Sequence, residues 1–93
     1  MSPRTINAIL ISALDDVVTV IAELTEGDSA IFFKNGEITQ VPVVGTIPQY
    51  HKLAIRDIKK TEPLKKYGEI IGQATRDISQ GSHVHEHNMA SPD

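Results

Sequence analysis

The chain of 93 residues contains no cysteine and no tryptophan, and only 4% of its residues are aromatic. Without cysteine it can form neither a disulfide nor a thiolate metal site, and it has no thiol nucleophile. No apolar run reaches the roughly 18 residues of a membrane-spanning helix, and the N-terminus lacks the apolar stretch of a signal peptide. We therefore predict a cytoplasmic protein that does not associate with membranes and has an aliphatic core.

Charge is unevenly distributed along the chain. Residues 1–50 carry six acidic residues against Arg4 and Lys34, whereas residues 51–68 carry six basic residues against two acidic ones. This basic stretch is either an attraction for an anionic ligand or a solvated lysine face. Nucleic acid is not expected as a partner, because the stretch has no interleaved aromatic residues and no known binding motif.

The first half of the chain reads as short strands separated by turns. Two β-branched apolar runs, residues 6–14 and 17–24, flank Asp15 and Asp16, which indicates a turn between strands or, alternatively, a short helix over residues 13–16. Asn35-Gly36 lies between two further strand-like runs and predicts a hairpin with a type I′ turn.

The second half contains an internal repeat with a period of 20 residues. Residues 56–68 read RDIKKTEPLKKYG, and residues 76–88 read RDISQGSHVHEHN. We interpret each copy as a strand, a turn after the isoleucine and a second strand, which predicts a mainly β fold built from pseudo-symmetric hairpins.

Three of the four histidines lie in HVHEHN, residues 83–88. In an extended strand His83, His85 and His87 share one face, and imidazoles spaced by two residues can bind one metal ion. Asn88 can add an oxygen ligand, and His51 is the remaining histidine. The alternative is a solvated strand edge without an ion, and the spacing alone does not decide between the two.

The motifs HKLAIRDI (residues 51–58) and KKYGEIIGQATRDISQGSHVHEHN (residues 65–88) resemble the N-terminal module of the altronate and galactarate dehydratase family. The segment ISALDDVVTVIAEL also resembles the opening of that module, more weakly. This chain departs from the family pattern at Thr61, where glycine is frequent, and at Ser82, where glutamate is common.

The resemblance implies a SAF-like β-clip fold of short strands and hairpins, with at most one or two short helical turns. It places a single domain at residues 1–88 and a C-terminal tail at residues 89–93. It implies a small subunit or N-terminal domain of a sugar-acid dehydratase, inactive alone, whose metal and substrate site is completed by a large catalytic subunit. The alternatives are a sulfolactate sulfo-lyase small subunit and a non-catalytic module for sugar-acid binding or assembly. A homodimer is also considered, because exposed strand edges can pair.

The same resemblance suggests roles for individual residues. The expected catalytic residues are His51, His83 and His85, and the expected ligands of Fe²⁺ or Mn²⁺ are His83, His85 and His87. The expected substrate-binding residues are Lys52, Tyr67 and Asn88. Three glycines, Gly68, Gly72 and Gly81, are expected to serve turns and packing.

Overall fold

The computed structural model describes residues 5–91, and this part of the chain forms strands and turns without a helix. The mainly β fold expected from the sequence is therefore confirmed. No helix capable of crossing a membrane occurs among these residues, and the cytoplasmic location stays a prediction. The strands are β1 Ala8–Ile9, β2 Val17–Val20, β3 Ser29–Lys34, β4 Glu37–Pro42, β5 Lys52–Ala54, β6 Pro63–Lys66, β7 Glu69–Ala74, β8 His83–Val84 and β9 Met89–Ala90.

The strands form three small antiparallel sheets. The central sheet has the order β1-β2-β5-β8, β3 and β4 form a separate hairpin, and the third sheet has the order β6-β7-β9. Both faces of the central sheet are covered, because its side chains alternate between two hydrophobic clusters. Val18 and Leu53 enter one cluster, which also contains Phe32, while Val17 and Ala54 enter the other. Phe32 is the one aromatic residue among the fully buried side chains, so the aliphatic core is also as expected.

The Asn-Gly hairpin is confirmed. Asn35 and Gly36 join β3 to β4 with φ angles of 52° and 79°. Positive φ at both central positions is the requirement of a type I′ turn, and its twist matches that of the flanking strands.

The 20-residue repeat is a real structural repeat with pseudo-twofold symmetry. Ile58 and Ile78, which are equivalent in the two copies, exchange both backbone hydrogen bonds, at 2.8 and 2.7 Å. The equivalent aspartates also act in the same way: the amide of Lys60 donates to Asp77 Oδ1 and the amide of Gln80 donates to Asp57 Oδ1, both at 2.8 Å. Each aspartate therefore holds the turn of the other copy.

Pairing differs in one respect from the expected hairpins within each copy. β5, the strand that leads into copy one, pairs with β8, the second strand of copy two. In the same way β7, the strand that leads into copy two, pairs with β6, the second strand of copy one. The two copies cross at Ile58 and Ile78, and the turns over residues 59–62 and 79–82 send each second strand toward the other copy.

Two local expectations need correction. Residues 13–16 form a turn, not a short helix, because Asp15 closes it: its amide donates to Ser12 O and its carboxylate accepts from the amide of Ser12, both at 3.0 Å. The tail expected from residue 89 begins later, because Met89 and Ala90 form β9 and pair with β7.

The departure at Thr61 has a structural consequence. Thr61 has a φ of 77°, and its counterpart Gly81 has a φ of 91°. A Cβ at Gly81 would collide with the carbonyl oxygen of Pro42, whereas Thr61 is exposed. The same left-handed turn therefore carries a β-branched residue in one copy, at a cost of about 1–2 kcal/mol relative to glycine.

We predict opposite effects of two matched substitutions in these turns. Thr61→Gly should raise the free energy of unfolding by about 1 kcal/mol, because relief of the left-handed strain exceeds the entropic cost of glycine. Gly81→Ala should lower it by about 2 kcal/mol or more, because strain and a backbone collision add. Urea unfolding measures both, with Gly27→Ala as a control for positive φ without a collision. A stabilised Gly81→Ala variant would contradict the description of the turn.

Candidate functional site

The pairing of β5 with β8 brings together histidines that are far apart in the sequence. In the β5–β8 pair Lys52 lies opposite Val84 and Leu53 lies opposite His83. His51 directly precedes β5, and its carbonyl accepts from the amide of Val20 at 3.0 Å. The register of this pair therefore places the His51 side chain beside the start of HVHEHN.

Three imidazoles form a compact group, which we call the histidine trio: His51, His83 and His85. His51 Nδ1 lies 2.8 Å from His83 Nε2, a hydrogen-bond distance at which one of the two rings supplies the proton. The ring centroids of His51 and His85 are 4.8 Å apart, and the rings of His83 and His85 stack at 5.6 Å. One nitrogen from each ring lies within 4.8 Å of the other two.

HVHEHN is not one continuous strand, which corrects the expected arrangement of the histidines. β8 ends at Val84, and the chain then turns around Asn88. Asn88 Oδ1 accepts from the amide of His85 at 3.0 Å, and Asn88 Nδ2 donates to the carbonyl of His83 at 2.8 Å. The histidine spacing therefore produces a cluster through a turn.

The turn bears on two of the expected roles, which stay predictions. The ring of His87 lies 5.2 Å from that of His83, but the group of nitrogens within 4.8 Å of one another consists of His51, His83 and His85, the three expected catalytic residues. Asn88 is buried, and its amide bonds to backbone groups that hold the turn.

His83 is the most strongly perturbed titratable group of the site. Its pKa is lowered from 6.5 to about 4, first by burial and then by the charges that His51, His87, His85 and Lys52 carry when protonated. Both causes disfavour the imidazolium. His83 is therefore a neutral ring at neutral pH, with a lone pair available to a metal ion or a proton.

A cleft of about 470 Å³ contains two of the expected substrate-binding residues, Lys52 and Tyr67. It is also lined by Lys66, for which the sequence predicted no individual role beyond its membership of the basic stretch at residues 51–68. The neighbouring Lys66 ammonium lowers the pKa of the Tyr67 phenol, because a hydrogen bond and a positive charge both favour the phenolate. The cleft, which we call the lysine cleft, is lined by Thr19, Tyr50, Lys52, Lys66, Tyr67, Ile71 and Met89.

Asp15 supports this cleft, a role that sequence reasoning missed. Its carboxylate is buried and accepts hydrogen bonds from the amides of Tyr67, at 3.1 Å, and Gly68, at 2.8 Å, as well as from Ser12. Asp16 accepts from Arg56 Nε at 2.8 Å and from the amide of Lys65 at 2.9 Å. The adjacent acids therefore tie the first strands to the loop that carries Tyr67, and their pairing in sequence was the available signal.

Comparison with known proteins identifies close similarity to one family. The family model described as the altronate/galactarate dehydratase SAF domain matches residues 6–92. Altronate dehydratase of Escherichia coli (strain K12) is 40% identical over 80 residues, which cover 86% of this chain and 15% of that protein. The (2R)-sulfolactate sulfo-lyase subunit alpha of Chromohalobacter salexigens is 48% identical over 50 residues, 54% of this chain and 53% of that protein. Galactarate dehydratase (L-threo-forming) of Escherichia coli (strain K12) is 43% identical over 47 residues, 50% of this chain and 9% of that protein.

The His83 environment predicts a specific acid sensitivity. Because the pKa of His83 is about 4 in the folded chain and 6.5 is its ordinary value, the unfolded chain binds more protons between these pH values. His83 therefore makes the protein lose stability as the pH falls from about 6.5 to about 4. Urea unfolding with EDTA present should show a smaller loss over this window for His83→Gln than for the wild type. Equal losses in both proteins would contradict the assigned environment.

Proposed function

The chain belongs to the SAF-domain family of altronate and galactarate dehydratases, and from this membership we propose that it contributes the histidine trio to the metal and substrate site of a sugar-acid dehydratase. A larger catalytic partner, either a separate subunit or a further part of the same protein, would complete that site. The observation that carries the proposal is the convergence of His51, which precedes β5, with His83 and His85, in and directly after β8, at a partly open surface.

The donor set suits a divalent transition metal. Neutral imidazoles are common ligands of iron, manganese and zinc, and burial keeps His83 neutral. At a metal–nitrogen distance of about 2.0–2.1 Å, two ligands of a tetrahedral ion lie about 3.3 Å apart. His51 and His83, now at 2.8 Å, would have to separate by a few tenths of an ångström, and the more distant nitrogens of the trio, within 4.8 Å, would have to approach one another. Fe²⁺ or Mn²⁺ held by the trio would supply positive charge against a developing enediolate.

The trio alone is an incomplete site, because within residues 5–91 no carboxylate joins the three histidines in the group. The adjoining lysine cleft is also open to solvent on a small domain, whereas substrate sites usually bury most of their ligand. Both features support a partner that contributes further ligands and walls.

Dehydration of a hydroxy acid needs a base for the proton beside the carboxylate and an acid for the departing hydroxyl. A ring that gives its lone pair to a metal ion cannot accept a proton with it, so the histidines act as acid or base only where they are not ligands. Without an ion, His51 Nδ1 and His83 Nε2 lie 2.8 Å apart and share one proton between them. Lys52 supplies fixed positive charge for the substrate carboxylate, since it lines the neighbouring cleft.

A second candidate is the corresponding role in a sulfolactate sulfo-lyase. The matched sulfo-lyase protein is named as subunit alpha, and the aligned 50 residues make up 53% of it, against 15% for altronate dehydratase. The similarity is thus to a short separate subunit as well as to part of a long enzyme. Turnover of altronate against that of sulfolactate in the assembled complex distinguishes the two.

We predict that replacing both His83 and His85 with alanine abolishes turnover in the chain assembled with its catalytic partner. The loss follows because two of three converging nitrogens are removed, and the isolated wild-type chain should show no dehydratase activity. Glu86→Gln in the same exposed turn is the matched control and should retain activity. Full activity of the double variant would leave a non-catalytic binding or assembly role as the explanation.

Metal binding by the full chain tests which histidines are ligands. After treatment with EDTA and its removal, we expect the chain to bind Co²⁺ at one site with visible absorption bands of nitrogen coordination. His51→Ala should weaken binding as much as His83→Ala, by about tenfold or more, because both nitrogens belong to the trio. His87→Ala should have a smaller effect. A greater effect of His87→Ala than of His51→Ala would return the ligand set to the three histidines of HVHEHN.

A further inference from the structure

Lys66 is buried, which is unusual for a lysine. Only 7% of the residue is exposed, and lysines are rarely buried without a charged partner. Within residues 5–91 the salt bridges are those of Arg56 with Asp16 and Glu62, so no carboxylate of this region pairs with the Lys66 ammonium. The ammonium can therefore pair with an anionic group of a ligand.

The ammonium of Lys66 is held in place over the lysine cleft. Its Nζ lies 3.7 Å from the centroid of the Tyr67 ring, a cation–π contact that orients the end of the side chain. Lys52 lines the same cleft. The volume of about 470 Å³ lies within the range of small-molecule sites, so a ligand with one anionic group and several polar groups fits its size and charge.

Two tyrosines of the cleft have strained backbones. Tyr50 has a φ of 68° and Tyr67 a φ of 60°, a left-handed conformation that bulky residues rarely adopt. Hydrogen bonds fix both: the amide of Tyr50 donates to Val20 O at 2.8 Å, and that of Tyr67 donates to the Asp15 carboxylate at 3.1 Å. Both side chains are more than 60% exposed. Tyr67 and Gly68, with φ angles of 60° and 74°, are the two residues of the turn between β6 and β7, so this hairpin fixes the position of the Tyr67 side chain at the cleft.

Lys52 links the cleft to the strand pair that carries the histidines. It lines the cleft, follows His51 directly in the chain and lies opposite Val84, the neighbour of His83, in the β5–β8 pair. The cleft and the trio are therefore joined through one short stretch of backbone.

From this arrangement we propose that Lys66 is a substrate-binding residue. It forms with Lys52 a two-lysine subsite for the carboxylate of a polyhydroxy acid, and the phenols of Tyr50 and Tyr67 bind its hydroxyls. This inference rests on the proposed function and adds to it a charge that the basic sequence stretch did not single out. Lys66 differs from the other lysines of that stretch in its buried stem, which fixes the ammonium before the ligand arrives and reduces the entropy lost on binding.

The test is a titration of the ¹⁵N-labelled full chain with gluconate, followed by NMR. We expect saturable shifts at the amides of residues 50–52 and 66–68, and none with sorbitol, which has the hydroxyls but no carboxylate. Lys66→Met retains the apolar stem and removes the charge, and it should weaken gluconate binding by about tenfold or more. Lys60→Met removes an equal charge from an exposed turn and should bind like the wild type.

Three outcomes would overturn the inference: equal binding by Lys66→Met and the wild type, equal affinity for acetate and gluconate, or shifts confined to other residues. If the amide spectrum shows that Lys66→Met is unfolded, Lys66→Arg provides the readout, and it should retain binding while Lys52→Met loses it.

The variant with alanine at His83 and His85 separates this inference from the proposed function. If that variant is fully active in the assembled complex while gluconate binding still needs Lys66, the proposed function fails and the subsite stands. If that variant is inactive and Lys66→Met binds gluconate as tightly as the wild type, only the two-lysine subsite is wrong.

Discussion

The mutual backbone hydrogen bonds between Ile58 and Ile78 are the constraint on which this fold depends. They join equivalent residues of two 20-residue copies, so the local axis between them relates one copy to the other. The surrounding bonds obey the same relation: the amide of Thr61 donates to Ala74 O and that of Gly81 donates to Ala54 O, both at 2.8 Å. Each copy is thereby completed by the other, and neither can bury its isoleucine alone.

Symmetry explains the frame of the site but not its chemistry. The pair of Leu53 with His83 has the pair of Gln73 with Pro63 as its counterpart in the other half. His51 likewise corresponds to Ile71 by the 20-residue period. The backbone geometry is thus repeated, while the histidines occur in one half only.

The sequence allowed prediction of those features that depend on local pattern. The repeat and the Asn35-Gly36 turn were predictable because matching residues and positive-φ preferences are visible along the chain. His51 was expected as a catalytic residue from the family resemblance, but its contact with His83 was not predictable from local pattern, because the two residues are 32 positions apart and their approach depends on the β5–β8 register. Strand alternation failed beyond Val84 for a related reason: Asn88 bonds back to residues 83 and 85, and no periodicity reports such a bond.

The charges of the site divide two tasks between two kinds of side chain. Burial, and then neighbouring positive charge, keep His83 unprotonated, so it contributes a lone pair and no charge. Lys52 and Lys66 line the lysine cleft with positive charge. A histidine that carried the charge itself would have no lone pair left for a proton or a metal ion. In the function proposed here, the basic nitrogen and the cationic groups are therefore different side chains, so that charge for an anion does not consume the lone pair.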